Sequence, residues 1–177
     1  MPALSRLQSI IAFAALAALM AATRFHHFGS ALHLPDASLA VFFLAGIYLA
    51  GWLGFALLLG GAGLIDYVVI TACGVNDFCI TPAYGFLVPA YGAMWLAGRW
   101  ARTHVALAWR ALPFVFGAAL LSSAIAFLIS NGAFYLFSGR IAELSTAHYL
   151  EQAGRYFLPY VSAAFFYVVA AAFVPTF

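Results

Sequence analysis

Residues 53–72 read LGFALLLGGAGLIDYVVITA, an apolar run of 20 residues that contains one carboxylate, Asp66. An α-helix of roughly 20 apolar residues crosses a hydrocarbon core about 30 Å thick. This run therefore predicts a membrane-spanning helix. The whole chain agrees, because 67% of its 177 residues are hydrophobic and 7% are charged. A water-soluble domain cannot bury that much apolar surface.

The rest of the sequence contains further apolar segments of similar character. Together they predict six spans, at residues 7–25, 36–50, 53–72, 82–98, 111–137 and 155–174. The first segment is similar to a signal peptide, but we expect it to be the first span. No strand-like alternation occurs, and the length suits one domain. We therefore predict an all-α membrane protein, a six-helix bundle formed as a single transmembrane domain over residues 1–177.

The distribution of charge predicts the orientation of the bundle. With the N-terminus inside, the inner connections carry +4 and the outer connections −1. The inner charges are Arg6, Arg99, Arg102 and Arg110, and the outer charges are Arg24, Arg140, Arg155, Asp36, Asp77, Glu143 and Glu151. Cytoplasmic loops are enriched in arginine, so both termini are expected in the cytoplasm. The net charge of +2 gives no basis for nucleic-acid binding.

Asp66 is the first candidate for a functional residue. It is expected about 9 Å below the outer end of its helix, at 1.5 Å per residue. An aspartate at that depth costs about 2.5–3.5 kcal/mol on membrane-insertion scales. Such residues usually face the bundle interior and serve a ligand, an ion or a proton path. The alternative is a structural hydrogen bond to Tyr67 or to a neighbouring helix.

Cys79 is the second candidate, in the outer segment NDFCITP at residues 76–82. Thr81 is a good N-cap and Pro82 a good first helical residue, so the fourth helix is predicted to begin there. The positive end of that helix dipole favours the thiolate, a soft ligand for transition metals. The spacing is equally compatible with a disulfide to Cys73. Otherwise Cys73 is expected to be an ordinary packed cysteine at a helix end.

Several polar residues share the outer side with Cys79. Tyr84 is expected within about the first turn of the fourth helix, close to the thiol. Arg155 is expected to open the last helix, where it either contacts a ligand or snorkels to the membrane edge. Ser130 and Asn131 form a polar patch that either lines a cavity or bonds between helices.

Histidines and prolines add weaker expectations. His26, His27 and His33 are either metal ligands or solvated side chains, and their spacing matches no standard zinc pattern. Pro89 and Pro159 are expected about two turns and one turn into their helices. Two kinks at one level favour a cavity there. Asp36, before Ala37 and Ser38, is predicted to be an N-cap.

Two segments, LPDASLA at residues 34–40 and NDFCITP at residues 76–82, resemble the BtuM family of small bacterial cobalamin transporters. That family is related to the substrate-binding S-components of energy-coupling-factor transporters. The resemblance implies a six-helix S-component-like fold in the bacterial cytoplasmic (inner) membrane. Its binding site would face the periplasm and take up cobalamin, a cobalt-containing corrinoid.

The resemblance also implies roles for individual residues. Cys79 would be the axial ligand to the cobalt of cobalamin, and Asp66 and Tyr84 would lie near the corrin. On chemical grounds, Arg155, Asn131 and Asp66 are expected to meet the amide side chains of the corrin. A thiolate activated by the helix dipole is further expected to promote decyanation of cyanocobalamin. The remaining outer polar candidates for the binding site are His27, Asn76 and Asp77.

Two other functions stay open from the sequence. The first is a thiol–quinone oxidoreductase resembling the DsbB family, although such enzymes need two cysteine pairs and this chain has two cysteines. The second is an S-component-like transporter of another vitamin, with Cys79 incidental. No phosphate-binding loop is present, so the chain itself does not hydrolyse ATP. Transport would depend on an unidentified energy-coupling module or proceed without an ATPase partner.

Overall fold

The computed structural model describes residues 4–26, 34–49, 51–73, 77–78, 80–104, 109–141 and 144–173. Within these ranges the chain forms six α-helices, two short 3₁₀ helices and no strand. The α-helices are α1 (Arg6–His26), α2 (Ser38–Tyr48), α3 (Trp52–Cys73), α4 (Leu87–His104), α5 (Leu112–Phe137) and α6 (Thr146–Ala172). The 3₁₀ helices are Pro82–Phe86 and Trp109–Ala111. The prediction of an all-helical chain with six helices is confirmed.

Four of the six helices, α1, α3, α5 and α6, are long and apolar enough to cross a membrane. The protein is therefore an all-helical membrane protein. The other two helices differ from the predicted spans. With 11 residues, α2 extends about 16 Å, roughly half of a hydrocarbon core. Helix α4 carries Arg99 and Arg102 in its second half. A six-span topology with cytoplasmic termini stays a prediction.

Helix α2 is the centre of the bundle. Every residue from Ser38 to Ile47 is buried, and the helix contacts α1, α3, α4, α5 and α6. A helix that is apolar on all sides is compatible with complete burial, and here the neighbouring helices cover α2 on every side. Its most extensive contact is with α4.

Glycines allow α2 and α4 to approach closely. A Cβ atom at Gly98 would overlap the backbone carbonyl of Phe43, and one at Gly46 would overlap the backbone carbonyl of Trp95. Small residues at such a crossing bring two helix backbones into direct contact. Near this contact, the Phe42 ring stacks on Tyr91 with centroids 4.3 Å apart.

The predicted distances of Pro89 and Pro159 from the starts of their helices were wrong. Residues Pro82–Phe86 form a separate 3₁₀ helix, so α4 begins at Leu87 and Pro89 lies in its first turn, where proline is tolerated. Pro159 lies in the middle of α6, because that helix begins at Thr146 rather than at residue 155. Its early start is stabilised by Ser145, whose side chain accepts the backbone N–H of His148.

Candidate functional site

A buried ion pair between Arg24 of α1 and Asp66 of α3 organises the polar interior. Arg24 Nε donates to Asp66 Oδ1 and Nη2 donates to Oδ2, both at 2.6 Å. Arg24 is 7% exposed and Asp66 is 6% exposed. Two parallel charge-assisted bonds fix both groups in one geometry. Each charge is thus compensated by the other in a site largely shielded from solvent.

Three hydroxyl groups extend this pair to the other helices. Arg24 Nη1 donates to Tyr91 Oη of α4 at 2.8 Å and to Ser38 Oγ of α2 at 3.0 Å. The hydroxyl of Tyr84, in the 3₁₀ helix Pro82–Phe86, donates to Asp66 Oδ2 at 2.6 Å. One guanidinium and one carboxylate therefore connect α1, α2, α3, α4 and the 3₁₀ helix.

Asp36 completes the network from the segment before α2. Its Oδ1 accepts the Ser38 backbone N–H at 2.8 Å and the Ser38 hydroxyl at 2.6 Å. Its Oδ2 lies 3.6 Å from Arg24 Nη1, an ion-pair distance that is longer than a hydrogen bond. The side chain of Asp36 is 28% exposed.

Chain direction brings these residues together. Arg24 lies near the end of α1, and Asp66 lies about 10 Å before the end of α3 at 1.5 Å per residue. Ser38 begins α2, and Tyr91 lies in the first part of α4. The ends of α1 and α3 and the beginnings of α2 and α4 therefore meet on one side of the bundle.

The network forms one wall of a cavity of about 570 Å³. This volume lies within the roughly 300–1,000 Å³ typical of small-molecule sites. The lining is largely apolar, with a few polar groups. The lining residues are Arg24, Pro35, Asp36, Ser38, Leu39, Asp66, Ala83, Tyr84, Leu87, Tyr91, Phe127, Ser130, Asn131, Phe134, Tyr156, Pro159, Tyr160 and Ala163.

The wall formed by α5 and α6 is neutral. Ser130 Oγ and Tyr160 Oη lie 3.1 Å apart and share a hydrogen bond, and Tyr160 packs edge-on against Phe127. Asn131 lines the cavity beside Ser130, and its amide has no hydrogen-bond partner within the described part of the chain. This wall offers hydroxyl and amide groups between aromatic rings.

The structure brings together some of the residues predicted from the sequence. Asp66, Tyr84 and Asn131 all line the cavity. Arg155 does not, because it lies on the exposed surface of α6, where it pairs with Glu151 at 2.5 Å. Asp77 is exposed and is also absent from the lining. The remaining candidates, Cys79, Asn76 and His27, lie outside the described residues, as does His33.

Three expectations about neighbouring residues need correction. Arg24 was predicted to be a charge of the outer connections, but it is buried within α1. Asp36 was predicted to be an N-cap, but Ala37 holds that position, and Asp36 accepts an N–H of the first helical residue from one position earlier. Cys73 was expected to be packed or disulfide-bonded, but it is exposed with a free thiol.

Sequence reasoning also missed Ser38, Tyr91 and Tyr160 as site residues. A signal for Arg24 was available, because an arginine next to an apolar run needs an acid and Asp66 is the acid within a predicted span. The hydroxyl groups carried no such signal, since tyrosine and serine are common in membrane helices.

Within the described residues, fold and site define a helical membrane protein with a partly open, partly charged cavity. No model of a known protein family matches this sequence, and a search of curated proteins found no match.

Replacing Tyr84 with phenylalanine tests the edge of the network. The change should lower the free energy of unfolding in detergent by about 1.5–3 kcal/mol, because it removes a hydrogen bond to a charged group. The matched control is Tyr167→Phe, which removes a 2.8 Å bond to the neutral Pro35 carbonyl. That control should lower the free energy of unfolding by about 0.5–1.5 kcal/mol. Equal losses would contradict a special contribution from the Tyr84–Asp66 bond.

Proposed function

We propose that this protein binds a corrinoid of the cobalamin class for uptake across the bacterial inner membrane. Its cavity would receive part of the corrin, and the thiolate of Cys79 would be an axial ligand to the cobalt. The single observation that carries the proposal is the cavity, which has a charged wall and a neutral polar wall in an otherwise apolar helical bundle.

The chemistry of the lining supports an organic ligand with polar substituents. The rings of Phe127, Phe134 and Tyr156 line the cavity and offer apolar contact area for a macrocycle. Asn131 offers an amide for hydrogen bonding with a ligand carboxamide. A cobalamin is larger than a cavity of about 570 Å³, so part of the molecule would remain outside.

The position of Cys79 in the sequence supports the particular ligand. Cys79 comes shortly before the 3₁₀ helix Pro82–Phe86, whose residues Ala83 and Tyr84 line the cavity. A thiolate is a soft donor that suits a transition-metal ion such as cobalt. The segment NDFCITP is also one of the two segments that carry the resemblance to cobalamin transporters.

The arrangement of arginines supports a cavity that faces the periplasm. In α4, Arg99 and Arg102 lie near the end of the helix, away from Tyr91 and the charged network. Arg6 lies at the start of α1, whereas Arg24 lies near the end that forms the site. Because cytoplasmic ends of membrane helices are enriched in arginine, this distribution supports a cavity on the opposite, periplasmic side.

The absorption spectrum of protein purified with cobalamin tests the proposal. Wild-type protein should retain the corrinoid and should show a cobalt spectrum altered by sulfur ligation. Cys79→Ala should lose that alteration, whereas Cys73→Ala should keep it, because only Cys79 would be a ligand. Colourless wild-type protein, or identical spectra for wild type and Cys79→Ala, would contradict the proposed ligation.

The same ligation would promote decyanation by ligand exchange. The thiolate donates an electron pair to cobalt in place of the nucleotide base, whose nitrogen leaves with its own pair. The opposite cyanide then leaves with its own pair and is protonated by water, a water molecule takes its place, and the oxidation state of cobalt stays unchanged. Incubation of cyanocobalamin with wild-type protein should therefore change its visible spectrum and release cyanide. An unchanged spectrum, or an equal change with Cys79→Ser, would count against this activity.

A further inference from the structure

The charges that line the cavity do not cancel. Among the described lining residues, Arg24 is the one cationic side chain and Asp36 and Asp66 are the anionic ones. With all three ionised, this wall carries a net charge of −1. The opposite wall, with Ser130, Asn131 and Tyr160, is neutral and leaves that charge uncompensated.

The guanidinium of Arg24 forms its closest ion pair with Asp66. Its Nε and Nη2 both bind that carboxylate at 2.6 Å, and its Nη1 donates to Ser38 and Tyr91. Asp66 in turn accepts the Tyr84 hydroxyl as a third donor. Both charges of this pair are therefore compensated and buried, so neither is available to a ligand without breaking the network.

Asp36 differs because one of its two carboxylate oxygens, Oδ2, has no close hydrogen-bond donor in the described part of the chain. Its Oδ1 accepts two bonds from Ser38, and its Oδ2 lies 3.6 Å from Arg24 Nη1. Within the described ranges no group donates a hydrogen bond to Oδ2. The side chain is 28% exposed and lines the cavity. A carboxylate oxygen in this situation gains most from a donor that the ligand supplies.

We infer that Asp36 is a specificity-determining residue of the cavity, and that the ligand group it takes is a hydrogen-bond donor such as an amide N–H or a protonated amine. An anionic group at this position would be repelled by a carboxylate that shares its one nearby cation, Arg24, with Asp66. The cavity thus discriminates a carboxamide from the corresponding carboxylate. For corrinoids, whose periphery carries carboxamides, this inference rests on the proposed function.

A pair of small probes tests the inference without any corrinoid. Benzamidinium and benzoate have the same ring and opposite charges, and each is added to the purified full-length protein in detergent. Benzamidinium should raise the Tm of the wild type more than benzoate does. Asp36→Asn should abolish that difference, because it removes the charge but keeps an oxygen that can accept from Ser38.

The matched control is Glu151→Gln, which removes an exposed carboxylate outside the cavity. It should preserve the preference for benzamidinium. Equal Tm shifts with the two probes in wild type would overturn the inference. So would a preference that survives in Asp36→Asn or disappears in Glu151→Gln.

A second comparison uses cyanocobalamin and its monocarboxylic acids, in each of which one peripheral carboxamide is hydrolysed. At least one acid should bind the wild type about tenfold more weakly or worse, and Asp36→Asn should recover most of that loss. If cyanocobalamin and every acid bind with equal affinity, the proposed role of Asp36 is wrong, but the proposal of corrinoid binding stands. If cyanocobalamin does not bind, the proposed function is wrong, and the benzamidinium comparison decides the role of Asp36.

Discussion

Replacing Asp66 with alanine should lower the free energy of unfolding by about 3–5 kcal/mol, because the change leaves the guanidinium of Arg24 buried without its carboxylate. The Tyr84 hydroxyl would also lose its acceptor. The measurement is reversible unfolding in mixed micelles, with Tm in detergent as a second readout. Arg24→Ala should lower the free energy of unfolding by a similar amount, since it leaves Asp66 unpaired instead.

Two controls separate the buried pair from arginine–carboxylate pairs in general. Glu151→Ala breaks a pair whose side chains are 71% and 62% exposed, and it should cost less than about 1 kcal/mol. The double variant Arg24→Met/Asp66→Leu should be more stable than Arg24→Met or Asp66→Leu alone, because no unpaired charge remains. If the double variant instead loses as much free energy of unfolding as Arg24→Met and Asp66→Leu together, the pair itself is not the source of the loss.

Replacing Gly98 with alanine should lower the free energy of unfolding by about 1–3 kcal/mol or more, because the new methyl group meets backbone rather than a movable side chain. Its Cβ would overlap the carbonyl oxygen of Phe43, and the Cα of Gly46 is also near. Relief requires α2 and α4 to move apart along their most extensive contact. The same unfolding measurement in mixed micelles detects the loss.

Gly92 provides the matched control on the same helix. A Cβ at Gly92 meets nothing within 4 Å. Gly92→Ala should therefore be neutral or stabilise α4 by up to about 1 kcal/mol, since alanine is the better helix former. If Gly92→Ala destabilises as much as Gly98→Ala, the loss comes from the glycine-to-alanine change in general and not from the helix contact.

Much of the fold was predictable from apolar runs. The predicted spans at residues 53–72 and 111–137 lie close to α3 and α5, because both helices consist almost entirely of apolar residues with sharp ends. The start of α6 was missed because His148, Glu151 and Gln152 interrupt the apolar pattern of residues 146–154, and the Ser145 cap marks the helix start instead. The short α2 was overestimated because central burial and membrane insertion require the same composition.

The site was predictable only in part, for a related physical reason. Asp66 was identified because a carboxylate inside an apolar run has a large cost that some partner must offset. Its partner Arg24 was assigned to the outer connections, because an arginine near a helix end is normally solvated. The sequence alone does not reveal that the end of α1 contacts the middle of α3. That contact turns a flanking arginine into an interior one.

The length of α2 has a consequence for the inner end of the cavity. Its first residue, Ser38, belongs to the cavity wall, so the helix leads away from the cavity into the bundle. Beyond Ser38 lie the fully buried rings of Phe42 and Phe43 and the crossing at Gly46 and Gly98. Two tightly apposed helices therefore close the bundle at this end of the cavity. Under the proposed uptake of a corrinoid, translocation would require α2 and α4 to separate.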